Sequence, residues 1–168
     1  MTNQTNHIQQ FFHEHPGPFN FLQSSDGVDG IIAVDCTSTG SYIVASHFWD
    51  RDEQEESEVF AETVVFALNM MSSRQRFRWK QHQLPSVVQE LFKRFPGPFV
   101  TDVIESDYEE FSLVECVTTG QLIVQETRRS LDESKIISAT VASALNQLRE
   151  PRIRDKTRRL MSLLKCRA

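Results

Sequence analysis

A chain of 168 residues has room for one good core or two small ones, and its 39% apolar and 24% charged composition is that of an ordinary globular protein. Its apolar stretches, such as residues 64–68, are far too short to span a bilayer, and the first six residues lack the positive charge and apolar core of a signal peptide. A cytosolic protein with no membrane contact is therefore expected, and its net charge of −5 hides a segregation: residues 151–168 carry seven Lys or Arg against Asp155 alone, the other 150 residues eleven positive and 22 negative side chains.

The chain opens with Ile8, Phe11 and Phe12 at helical spacing, followed by Pro16-Gly17-Pro18. Proline cannot continue a helix and disfavours helix in the residue before it, so a helix is predicted to stop here at a sharp corner. Three strands are expected next, over residues 19–23, 31–37 and 41–48. Asp26 to Gly30 supply the first turn and Thr39-Gly40 the second, a hairpin signal. Val34 and Cys36 alternate with Asp35, the period of a strand with one buried face. A long helix follows, with Val59, Thr63, Phe66, Ala67 and Met70 as its apolar stripe. Its acidic start (Asp52, Glu53, Glu55, Glu56, Glu58) suits the positive end of a helix dipole.

The same order then recurs. Residues 92–99 match 12–19 at five of eight positions, 114–124 match 34–44 at six of eleven, and 133–146 match 56–69 at seven of fourteen. Chance alone would give roughly one match in fifteen at ordinary composition. Carried over by this match, the stripe of the second long helix is Ile136, Thr140, Ser143, Ala144 and Gln147. The expected fold is therefore α+β: a tandem duplication of an α-β-β-β-α unit, each a three-stranded antiparallel meander with helices on one face, related by a pseudo-twofold axis. The domain plan is a first unit with a basic linker over 1–82, a second unit over 83–150, and a basic C-terminal segment over 151–168. Units of about eighty residues are marginal alone, so the two should pack as one globule. The expected core comprises Phe12, Phe19, Val34, Cys36, Val44, Phe66 and Leu68, with Phe92, Phe99, Val114, Cys116, Val124 and Leu145 as counterparts.

Functional signals are sparser. Arg74, Arg76, Arg78 and Lys80 fall on alternate positions, interleaved with Phe77 and Trp79; Arg152, Arg154, Lys156 and Arg158 repeat that spacing. Such a layout can neutralise successive phosphates while aromatics stack on bases. It equally describes an edge strand whose charges discourage aggregation, or basic arms folding back on an acidic body. Phe48-Trp49 in the first unit stands where the second has Arg128-Arg129, so one position carries an aromatic pair in one unit and an arginine pair in the other. The candidate partner-binding residues are thus Phe48, Trp49, Arg74, Arg76, Arg78, Trp79, Lys80, Arg128, Arg129, Arg152 and Arg154.

The α-β-β-β-α order resembles in topology the double-stranded-RNA-binding domains. However, where those carry phosphate-gripping lysines this chain has Glu53, Glu55, Glu56 and Glu58, then Asp132 and Glu133. His13, His15 and His47 have no counterparts in the second unit, and no CxxC or HExxH spacing occurs, so no metal is assigned. A nucleophile elbow, a P-loop and a dinucleotide glycine motif are all absent, so no catalytic residue or cofactor is assigned either. The leading expectation is a non-catalytic interaction module, an adaptor or chaperone-like binder of a protein partner. Nucleic-acid binding through 74–80 and 152–159 is the rival, and a small enzyme with a pocket between the units, lined by Asp35, His47 or Glu115, is the third class. The sequence carries no mark of oligomeric state.

Overall fold

A computed structural model of the chain describes residues 2–25, 30–73, 84–105, 110–124 and 130–149. The fold is mixed α+β. In chain order the elements are α1 (Thr2–Glu14), β1 (Phe19–Ser25), β2 (Gly30–Cys36), β3 (Ser41–Phe48) and α2 (Arg51–Ser72). Then come α3 (Ser86–Arg94), β4 (Phe99–Glu105), β5 (Glu110–Cys116), β6 (Gln121–Val124) and α4 (Leu131–Arg149). The strands form two antiparallel sheets ordered β1-β2-β3 and β4-β5-β6.

The corners form where proline and glycine demand them. α1 ends as the N–H of His15 donates to the Phe11 carbonyl at 2.7 Å, and α3 ends likewise from Phe95 to Leu91. Gly17 and Gly97 then take φ of +82° and +70°, a left-handed conformation that L side chains resist. The peptide bonds from these glycines to Pro18 and Pro98 are cis. Each glycine is also covered: a Cβ at position 17 would lie 3.1 Å from the Phe19 ring, and one at 97 would lie 3.2 Å from both the Phe99 ring and Arg149 Cδ. The second hairpin of each sheet turns at residues 37–40 and 117–120, where the N–H groups of Gly40 and Gly120 donate to the carbonyls of Cys36 and Cys116 at 2.8 Å.

Each long helix lies on its own sheet, α2 on β1, β2 and β3, and α4 on β4 and β5. The two also pack on each other, while β3 approaches β6. The short helices cross over: the principal neighbour of α1 is α4, and that of α3 is α2. One core results. It joins Phe11, Phe19, Val34, Cys36, Val44, Val64 and Leu68 to Val88, Leu91, Phe99, Val114, Cys116, Val141 and Leu145.

Three expected core residues are corrected to neighbours. Phe12, Phe66 and Phe92 are only partly buried against this core, whereas Phe11, Ala67 and Leu91 are fully buried. In a run of adjacent apolar residues on a helix, sequence spacing leaves the phase open by one position (about 100°), and the packing partner decides it. Similarly, Ile137, Val141, Leu145 and Leu148 face inward on α4 in place of Ile136 and Gln147. The Val124 side chain, the first turn at 26–29 and its later counterpart at 106–109 lie outside the described residues.

Candidate interaction surface

Among the described strands β1 and β4 stand at the edges of their sheets, and the first residue of each is clamped by a helix side chain. Phe19 begins β1; its N–H donates to Asn69 Oδ1 and its carbonyl accepts from Asn69 Nδ2, both at 2.8 Å. Asn146 does the same for Phe99, at 2.9 and 2.7 Å. A primary amide offers both donor and acceptor, so each asparagine takes the place a neighbouring strand would fill. Because the N–H of Thr37 donates to the Pro18 carbonyl at 2.9 Å, and Phe19 faces Cys36 in the same register, alternate residues of β1 bond to β2. Asn20, Leu22 and Ser24 point their backbone groups at β2; Phe21, Gln23 and Ser25 point theirs outward.

Side chains follow the same alternation. Phe19, Ile32, Val34, Cys36 and Val44 face the helices, and Leu22, Ile31, Ala33, Asp35, Tyr42 and Ala45 form the opposite face of the first sheet. On that face Leu22 is 44% exposed, Ile31 39% and Tyr42 53%. Val100, Val103 and Val117 are exposed in the second half. Sequence reasoning passed over Leu22 and Ile31, although the signal was present. Ile31 lies an even number of positions from Asp35, so the alternation that turns Asp35 outward turns Ile31 outward too.

Of the candidate partner-binding residues, Phe48 ends β3 and Trp49 follows it with its residue surface 67% exposed. Trp49 is held through its backbone, whose N–H donates to Glu53 Oε2 at 2.9 Å. Glu53 N–H in turn donates to Asp50 Oδ1 at 2.9 Å, which caps α2. This pair of bonds is a variant of the capping box, and it fixes the entry of α2 while leaving the indole in water. Downstream, Asp52, Glu53, Glu55 and Glu62 are exposed along the helix. Arg74, Arg76, Arg78, Trp79, Lys80, Arg128, Arg129, Arg152 and Arg154 all lie outside the described residues.

Cys36 and Cys116 are free, fully buried thiols at the ends of β2 and β5. Cys36 Sγ receives the N–H of Gly17 at 3.4 Å and lies 3.3 Å from Ser38 Oγ. Burial pushes this thiol up, but hydrogen bonds from Ser38, Thr39 and Gly17 outweigh it and hold it below its ordinary value. At Cys116 burial is likewise outweighed, by Thr119, Gly97 and Thr118, and Thr118 Oγ1 donates to the Gly97 carbonyl. The sulfurs thus tie each strand end to its Pro-Gly-Pro corner, and their complete burial keeps reagents away.

The best-defined cavity, about 10 Å³, lies between β2, β3 and α2 and is lined by Ile32, Val34, Val44, Ser46, Ser57 and Phe60. That is the space of about one water, too small for a substrate. It sits within the first half. Among the described residues no group of three His, Cys, Asp or Glu side chains is placed to hold a metal, and no helix is long and apolar enough to cross a membrane. Among the described residues the surface thus offers edge strands and, on the outer face of the first sheet, the exposed apolar side chains of Leu22, Ile31 and Tyr42. No protein-family model, curated protein or solved structure matches this chain.

Proposed function

We propose that this chain is a non-catalytic cytosolic interaction module that binds a protein partner, in the manner of an adaptor or chaperone-like protein. The observation that carries the reading is the exposed apolar face of the first sheet, with Leu22, Ile31 and Tyr42 in water above a close-packed core. Exposed apolar residues grouped on one sheet face are a common mark of protein contact. The exposed Trp49 beside a rigidly capped, acidic α2 adds an aromatic anchor of the kind enriched in interfaces.

The chain is further proposed to be a tandem duplication whose halves are related by a pseudo-twofold axis. The sequence matches support this, as do the paired asparagine clamps, the paired glycine corners and the reciprocal crossing of α1 and α3. The test of function is capture from native lysate with and without nuclease, comparing wild type with a Leu22→Ser, Tyr42→Ser variant. A protein partner that survives nuclease and is lost in the variant supports the module. Capture abolished by nuclease, with affinity falling steeply as salt rises, would favour the basic segments 74–80 and 152–159 as a nucleic-acid surface.

A further inference from the structure

We propose that β1 is a self-association edge, through which two copies of this chain pair antiparallel and join their first sheets. The backbone groups are available. The outward N–H groups of Phe21 and Gln23 have no hydrogen-bond partner among the described residues, and Asn20, Leu22, Gln23 and Ser24 are exposed. A row of unpaired strand amides is a template for another strand.

What singles out a second copy is the contrast between β1 and β4, which hold equivalent places in the two sheets. β4 reads Phe-Val-Thr-Asp-Val-Ile-Glu and is protected: Asp102 Oδ1 accepts the N–H of Val103 at 2.8 Å, an N–H that the register turns outward. Pairing of β4 with its own copy in the equivalent register would also set the Asp102 carboxylates of the two chains diagonally across the seam, like charges that oppose the match. β1 reads Phe-Asn-Phe-Leu-Gln-Ser-Ser, with no charge at all, and Leu22 stands where β4 has Asp102. A neutral strand meets its own copy without repulsion.

The asparagine clamp also selects the register. The outward groups of Phe19 are already taken by Asn69, so only Phe21, Gln23 and Ser25 remain to pair. An antiparallel match that uses all three places the dyad at Gln23: Gln23 opposite Gln23, and Phe21 opposite Ser25 of the other copy. Leu22 then lies opposite Ser24 of the second chain, and the exposed apolar faces of the two sheets become continuous. This association is independent of any heterotypic partner.

Sedimentation equilibrium of the full chain over about 10 µM to 1 mM tests it, since edge pairing of a single short strand gives weak dimers in this range. The expected result is a monomer–dimer equilibrium. Leu22→Asp gives β1 the carboxylate that β4 carries, and Gln23→Pro removes an outward N–H while leaving the β1–β2 ladder intact. Each should weaken the dimer by about tenfold or more, a loss of about 1.4 kcal/mol, with the circular dichroism of the monomer unchanged. Hydrogen exchange on the wild type gives a reading that needs no variant: the amides of Phe21 and Gln23 should become protected as concentration rises, and that of Val103 should not change. A chain that stays monomeric throughout, or a dimer whose Phe21 and Gln23 amides exchange freely, overturns the proposal.

Discussion

Replacing Asn69 with alanine is the most informative single perturbation of this fold. The side-chain amide closes both outward backbone groups of Phe19 at 2.8 Å, and Phe19 is only 4% exposed. Truncation leaves a donor and an acceptor with neither amide nor ready access to water. Each buried unsatisfied group costs about 1–3 kcal/mol, so a combined loss of about 2–6 kcal/mol is expected. For a protein of this size that lowers Tm by roughly 4–24 °C. Asn69→Asp sharpens the test at nearly constant shape. It keeps an acceptor for the Phe19 N–H but sets a second acceptor against the Phe19 carbonyl, so it should be at least as destabilising as alanine at neutral pH. The assay is calorimetry on the full chain with Asn69→Ala and Asn146→Ala measured separately. Because α1 packs on α4 and α3 on α2, either variant should lower one shared transition. Two transitions, of which each variant moves only its own, would refute the interlocked core. Losses below about 0.5 kcal/mol for both variants would refute the clamp, since that is the scale of an ordinary surface substitution.

Residues 1–82 and 83–168 expressed separately should each lack the cooperative transition of the whole chain, because α1 loses α4 and α3 loses α2; calorimetry that finds each piece melting sharply near the intact Tm would show otherwise. Gly17→Ala should cost about 1–2 kcal/mol in urea unfolding, from its φ of +82° and the Phe19 ring 3.1 Å from the new methyl, and Gly40→Ala, with a free approach, should cost less. Thiol reagents at neutral pH should label Cys36 and Cys116 only as fast as the protein opens, so labelling followed by peptide mapping should accelerate sharply in denaturant. Truncation after Glu150 should leave the described core folded by circular dichroism, since the residues of that core all precede it; loss of folding would place the basic segment within the core.

The elements and their punctuation were legible along the chain. Pro-Gly-Pro stops a helix whatever surrounds it, and Thr-Gly closes a hairpin, because both act through the local backbone. The alternation of Val34, Asp35 and Cys36 likewise assigned the buried face of β2, since strand side chains must alternate. Tertiary structure decided the rest. That Phe11 and not Phe12 fills the core depends on which helix receives α1, and an apolar stripe states that it needs a partner without naming one. The crossing of α1 to α4 and α3 to α2 is of that kind. Asn69 and Asn146 ended matching stretches of sequence, yet an asparagine on a helix says nothing of the backbone about fifty residues away that it will complete. The place of β1 at the edge of its sheet is likewise invisible along the chain, because whether a strand's second side is paired depends on what folding brings beside it.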